Sequence, residues 1–259
     1  MNTRIKQLFE RKQKDIISIY MTAGFPQLQD TLSIVQSLDE AGVDMIEIGF
    51  PFSDPLADGP VIQHSSEIAI SNGMTLQFLF KQLKELRSVT QLPVLLMGYL
   101  NPVVQYGEAA FIEKCHETGI DGIIIPDMPL AYYQDNLQQL CNEKGISNIL
   151  LISPQTSEER IHQIDDNSNG FIYMVSSNSI TGGTSSTVFK EDYLERTKNM
   201  KLKNDRLIGF GIHDNESFKN ASRYSNGCII GSAFINHISK NGISAVGIKQ
   251  FINSLNGGN

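Results

Sequence analysis

Short apolar runs recur along the chain, and the segments between them carry apolar residues at helical spacing. The runs read DIISIYMT, VDMIEIG, PVLLMGY, IDGIIIP, SNILLIS, GFIYMVS, RLIGFG and GCIIGS. Each is nearly continuous instead of alternating, which predicts parallel strands covered on both faces. Between them, TLSIVQSLDEAG places Leu32, Val35 and Leu38 on one stripe. LQFLFKQLKELR does the same with Leu76, Leu79, Leu83 and Leu86, and FIEKCHETG and YYQDNLQQLCNEKG follow. Gly42, Gly119 and Gly145 stand just before the next strand, at the helix-ending position.

Eight strands alternating with helices over about 250 residues predict an α/β fold, a (β/α)8 TIM barrel. It is expected to be a single domain over residues 1–259, with an extra N-terminal helix in the amphipathic stretch MNTRIKQLFERKQKD. A doubly wound open sheet is the alternative, but it usually has fewer strands, and no G-x-G-x-x-G opens the first helix. A barrel puts its active site at the C-terminal strand ends and the loops that follow.

Composition narrows the class. The chain has 259 residues, 41% hydrophobic and 19% charged, as in an ordinary globular protein. Its formal charge of −7 favours neither nucleic acid nor an anionic membrane. Cys115, Cys141 and Cys228 show no C-x-x-C pairing and are expected to be buried, reduced thiols. The N-terminal stretch does not read as a signal peptide and no run approaches a membrane span, so the expected address is the cytoplasm.

The candidate chemistry begins with EIGFPFSDPLADGP, Glu47 to Pro60. On the second strand Met45, Glu47 and Gly49 share one face and Ile46 and Ile48 the other. The isoleucines suit the surrounding helices, so Glu47 is expected to point into the barrel mouth. Loss of water there raises a carboxyl pKa and suits acid/base work. The structural alternative is a strand-end Glu that reaches solvent or a lysine. Pro51, Pro55 and Pro60 stiffen the next loop, and Ser53, Asp54 and Asp58 offer turn-forming side chains. Either the loop is only a stiff surface turn, or Asp58 reaches over the mouth as a second carboxylate.

Late glycines form a third group. SITGG follows the sixth strand, GFG ends the seventh, and GSAF joins the eighth to a helix. Gly209, Gly211, Gly231 and Ser232 fit a phosphate site made of glycine turns and a helix start, although tight turns alone would also use them. The five histidines show no ligand spacing and no carboxylate cluster suggests a metal; His213 beside the glycines reads as a loop residue. Tyr20, Tyr99 and Tyr173 fall at strand ends, as pocket walls or as core. No lysine stands inside a predicted strand, so a Schiff-base aldolase has no obvious nucleophile.

These motifs together resemble the tryptophan synthase alpha subunit family. EIGFPFSDPLADGPVIQ looks like the family signature. IYMTAGFP, MGYLNPVVQYG, DGIIIPDMP, GFIYMVS, GFGI and GSAF follow in the family's order along nearly the whole chain. The resemblance implies retro-aldol cleavage of indole-3-glycerol phosphate to indole and D-glyceraldehyde 3-phosphate. It implies a beta-subunit partner, as an alpha2beta2 tetramer, which uses pyridoxal phosphate while the alpha chain carries no cofactor or metal. By matching motif, Glu47 would be the acid/base and Asp58 the acceptor of the indole N–H. Tyr173 would support Glu47 or substrate position, and Tyr20 and Tyr99 would border the indole. Gly182, Gly211, Gly231 and Ser232 would hold phosphate, and Thr181 would belong to a lid that contacts Asp58. Pro51, Asp54, Asn101 and Pro102 would meet the partner. The sequence departs from the pattern at SSNSITG, where Ser177 and Ser179 replace the usual arginine and glycine of the lid. It departs also at Tyr20, where phenylalanine is common. A phosphate-binding barrel isomerase or epimerase, or a non-catalytic activating subunit, are the competing readings.

Overall fold

All eight apolar runs become strands. The computed structural model describes residues 3–175, 191–209 and 211–257. Among them, β1 (Ile16–Thr22), β2 (Met45–Gly49), β3 (Val94–Met97) and β4 (Gly122–Ile124) form the first half of the sheet. β5 (Ser147–Ile152), β6 (Phe171–Val175), β7 (Asp205–Gly209) and β8 (Gly227–Ile230) form the second. Every neighbour pairs in parallel and β8 pairs back to β1, closing a TIM barrel with helices outside.

The register decides which side chains meet inside. Tyr20 pairs with Glu47 and Glu47 with Leu95, while Leu151 pairs with Tyr173 and Tyr173 with Leu207. Residues paired in register share a face, so Glu47, Tyr20 and Tyr173 belong to the interior. The alternate residues, such as Ile46, Ile48, Leu96 and Ile208, are fully buried on the other face of the sheet.

The N-terminal helix, Thr3–Arg11, covers the opposite opening of the barrel. Ile5 and Leu8 are buried, and the Phe9 ring lies 6.0 Å from that of Phe171 at the start of β6. Gly42, Gly119 and Gly145 end their helices in the left-handed conformation that spares glycine a Cβ clash. One segment differs from its periodicity. LQFLFKQLKELR is split into Leu76–Leu83 and Leu86–Val89. The break keeps Leu83 and Leu86 buried while Arg87 turns to the Gly119 carbonyl and Asp121, a tertiary demand that local spacing does not record.

Candidate active site

Glu47 is fully buried in the middle of β2. Its Oε1 accepts a hydrogen bond from the Ser18 hydroxyl at 2.8 Å, and its Oε2 has no partner among the described residues. Burial pushes the carboxyl up to about 8, and the Ser18 hydrogen bond only partly opposes this. Such a group is partly protonated near neutrality, the condition for giving and taking a proton.

Asp58 arrives from the loop after β2. The Tyr99 hydroxyl accepts the Ala57 N–H at 3.0 Å, and the Phe52 ring lies 5.4 Å from that of Tyr99. At the loop's end the Asp58 carbonyl accepts a bond from Gln63 Nε2 at 2.7 Å, and Pro60 opens the helix Pro60–Ser71. The loop is therefore fixed by rings and prolines, with Asp58 half-buried. Burial raises the Asp58 carboxyl above the ordinary aspartate value, and a hydrogen bond with Tyr99 opposes the rise.

A cavity of about 280 Å³ opens beside Asp58 at this end of the barrel. Tyr20 and Tyr173 line it, with Ile62, Met97 and Ile229 as apolar wall. Gly211, Gly231 and Ser232 line it too, with Ile212, His213, Ala233 and Asn236 beside them. Gly211 has φ +78°, a conformation that favours glycine, and Ser232 is the first residue of the helix Ser232–Asn241. The free N–H groups and dipole of that helix start favour an anion. The cavity thus joins an apolar, ring-lined space with a carboxylate to an anion-friendly helix end.

Two glycines make room for the tyrosines. A Cβ on Gly49 would lie 2.1 Å from the Tyr20 hydroxyl, and one on Gly209 would lie 2.1 Å from that of Tyr173. Each phenol leans across to the neighbouring strand, two residues beyond its register partner. Gly209, grouped with the phosphate glycines on sequence, is placed to receive a phenol and is not part of the cavity wall.

The remaining sequence candidates divide clearly. Tyr99 does not line the cavity; it anchors the Asp58 loop. Glu47 does not line it either, being turned toward Ser18. Pro51 and Asp54 lie on the loop after β2, and Asn101 and Pro102 lie in the first turn of the helix Leu100–Tyr106 that follows β3, with Asp54 and Asn101 exposed. Leu56 and Val104, on the same two segments, are exposed apolar residues. Thr181, Gly182, Ser177 and Ser179 lie outside the described residues. Sequence reasoning passed over Ile62, Met97, Ile229 and Asn236. Strand alternation from Glu47 through Leu95 would have found Met97, and alternation on β8 would have found Ile229. Ile62 and Asn236 lie on helices whose spacing marks them only as core or surface.

The family model described as tryptophan synthase alpha chain matches residues 5–255. The chain belongs to the tryptophan synthase alpha chain family. The tryptophan synthase alpha chain of Christiangramia forsetii is 55% identical over 94% of this chain and 95% of its own length. That of Flavobacterium psychrophilum is 51% identical over 97% and 99%. Among solved structures, the tryptophan synthase alpha chain from Legionella pneumophila superposes with a TM-score of 0.86 at 32% identity, covering 98% of this chain and 96% of that one. The tryptophan synthase complex from Pyrococcus furiosus contributes a chain with TM-score 0.82 at 33% identity, covering 95% and 99%. Membership makes this chain an enzyme subunit of tryptophan biosynthesis, implies a beta-subunit partner, and does not favour an isomerase or epimerase.

Proposed function

We propose that this chain cleaves indole-3-glycerol phosphate to indole and D-glyceraldehyde 3-phosphate by a retro-aldol reaction, as a carbon–carbon lyase. The observation that carries the proposal is the single cavity holding Asp58, two tyrosine rings and the Ser232 helix start, with buried Glu47 in the same barrel interior.

The substrate's parts fit the parts of that space. The indole ring suits Tyr20, Tyr173, Ile62, Met97 and Ile229, and the phosphate suits Gly211, Gly231 and the N-terminus of Ser232–Asn241. Gly182 would add to the phosphate site, Thr181 would close over Asp58, and Tyr99 would border the ring's end through the loop it anchors. Cleaving the bond next to the indole needs an electron sink. No lysine lies on a strand among the described residues, and the ring itself supplies the sink once C3 is protonated. Protonated Glu47 gives that proton, and Asp58 accepts the indole N–H as positive charge grows on the ring. Glu47, now ionised, takes the proton of the glycerol hydroxyl as the carbon–carbon bond breaks. The elevated proton affinity of Glu47 serves both halves.

The chain carries out this half-reaction with its own side chains, without a bound cofactor or metal. The indole passes to a beta subunit that holds pyridoxal phosphate, in an alpha2beta2 assembly in the cytoplasm. Pro51, Asp54, Asn101 and Pro102 meet that partner, an assignment supported by exposed Leu56 and Val104 on the same two segments.

Glu47→Gln keeps the shape and removes the proton. Indole release from indole-3-glycerol phosphate falls by about 10²–10⁴-fold, with an unchanged circular dichroism spectrum and retained beta-subunit binding. Turnover near the wild-type rate in a folded Glu47→Gln chain would sink the proposal.

A further inference from the structure

Ser18 is a polar residue in an apolar interior, fully buried, and two residues before Tyr20 on the same strand face. Its register partner is Met45, while Tyr20 is opposite Glu47. The bond from Ser18 Oγ to Glu47 Oε1 is therefore diagonal. It draws the carboxyl toward the N-terminal end of the barrel, away from the cavity, which Glu47 does not line. A buried hydroxyl without this use would lose its hydration with little return.

We propose that Ser18 is the positioning residue for Glu47, holding one carboxyl oxygen so that the other carries the proton. The inference rests on the role given to Glu47 above. Because Oε1 already accepts the Ser18 hydrogen, protonation falls on Oε2, which has no partner among the described residues. The hydroxyl thus fixes both the rotamer of the resting side chain and the oxygen from which the proton leaves. Among the described residues, Tyr20 on β1 and Tyr173 on β6 are the titratable groups that feel the Glu47 charge. Asp58, on the loop after β2, acts on both phenols and not on Glu47. Both phenols are held neutral far above physiological pH by burial, so they do not compete for this proton. Burial and the Ser18 hydroxyl are the two causes acting on the carboxyl itself, with opposite signs.

Removing the hydroxyl therefore raises the proton affinity of Glu47 and frees its orientation. In the full chain carrying Ser18→Ala, the Glu47 carboxyl, followed by carbon-13 NMR of labelled glutamate and assigned with Glu47→Gln, titrates about one pH unit higher. The alkaline limb of indole release from indole-3-glycerol phosphate moves up by the same amount, because the protonated form starts the reaction. The kcat falls several-fold while KM stays within twofold, since Ser18 touches no part of the cavity. Ser18→Thr keeps the donor and restores both the titration and the profile. Ser18→Cys, of nearly the same size and a weaker donor, gives intermediate values and serves if the alanine variant folds poorly. An unmoved titration and an unmoved profile in Ser18→Ala overturn the inference. A moved titration with an unmoved profile leaves the contact intact and overturns the catalytic role of Glu47, so the two readings fail separately.

Discussion

At the N-terminal end of the barrel Asp121 accepts Arg4 at 3.1 Å, Arg87 at 2.6 Å and the Val94 N–H at 2.8 Å, whereas Glu47 accepts a single hydroxyl. Both carboxyls are fully buried. Asp44 resembles Asp121, taking the Ile17 N–H at 2.8 Å and Lys12 at 2.6 Å, and Asp165 takes the Lys203 and Asn204 N–H groups at 2.8 and 3.0 Å. The N-terminal carboxylates lock loops and helices to the barrel, each accepting at least two donors. Glu47 and Asp58 are left short of partners, and burial raises their proton affinity. Partner supply, more than residue type or burial, separates a structural acid from a chemical one.

Exchanging the consequences of loss is the strongest way to break this contrast. Glu47→Gln is expected to cost activity and spare the fold. Asp121→Ala removes the buried carboxylate that Arg4 and Arg87 share. The expected loss is about 3 kcal/mol, the low end for a broken buried pair, because Arg87 keeps the Gly119, Thr90 and Leu92 carbonyls. Urea unfolding should show that loss, with indole release per folded molecule unchanged. An Asp121→Ala chain of wild-type stability would dissolve the distinction between the two ends.

Titration sharpens the same comparison at smaller scale. The folded Glu47 carboxyl holds its proton to about 8, against 4.5 for the unfolded side chain. A group whose folded value is raised contributes its stability fully below the unfolded value, and that contribution is lost as pH rises to the folded one. Wild-type stability should therefore decline relative to Glu47→Gln between pH 4.5 and about 8, by at most about 1.4 kcal/mol per pH unit. The measurement is the difference in urea unfolding free energy between the two proteins at pH 5, 6.5 and 8. A constant difference would mean that Glu47 stays ionised in the folded chain.

The strands, the helix-ending glycines and the inward face of Glu47 were legible because short-range periodicity encodes them. The apolar run VDMIEIG holds its one carboxylate out of step with Ile46 and Ile48, and the register then sets it opposite Tyr20. What periodicity does not encode is where a side chain goes after leaving its strand. The turn of Glu47 toward Ser18, the Tyr99 hydroxyl beneath Ala57 and the phenol of Tyr173 over Gly209 are contacts between strands or between strand and loop. Gly209 illustrates the limit: GFG reads as a phosphate turn in sequence, yet the space its missing Cβ leaves is filled from β6.

The smallest expected effect falls on Tyr20, where the family resemblance leads one to expect phenylalanine. Its hydroxyl sits against Gly49 and hydrogen-bonds the Thr22 side chain, whose own hydroxyl lies 2.7 Å from that of Ser65 on the helix Pro60–Ser71. The phenol thus ties β1 to the helix that follows the Asp58 loop, while the ring lines the cavity. Tyr20→Phe keeps the ring and removes only this tie, so stability should fall by about 0.5–1.5 kcal/mol. Indole release should remain within about threefold, the kinetic equivalent of well under 1 kcal/mol. A tenfold loss of rate at unchanged stability would place the hydroxyl on the substrate, and Tyr20 would then belong with the under-partnered groups of the C-terminal end.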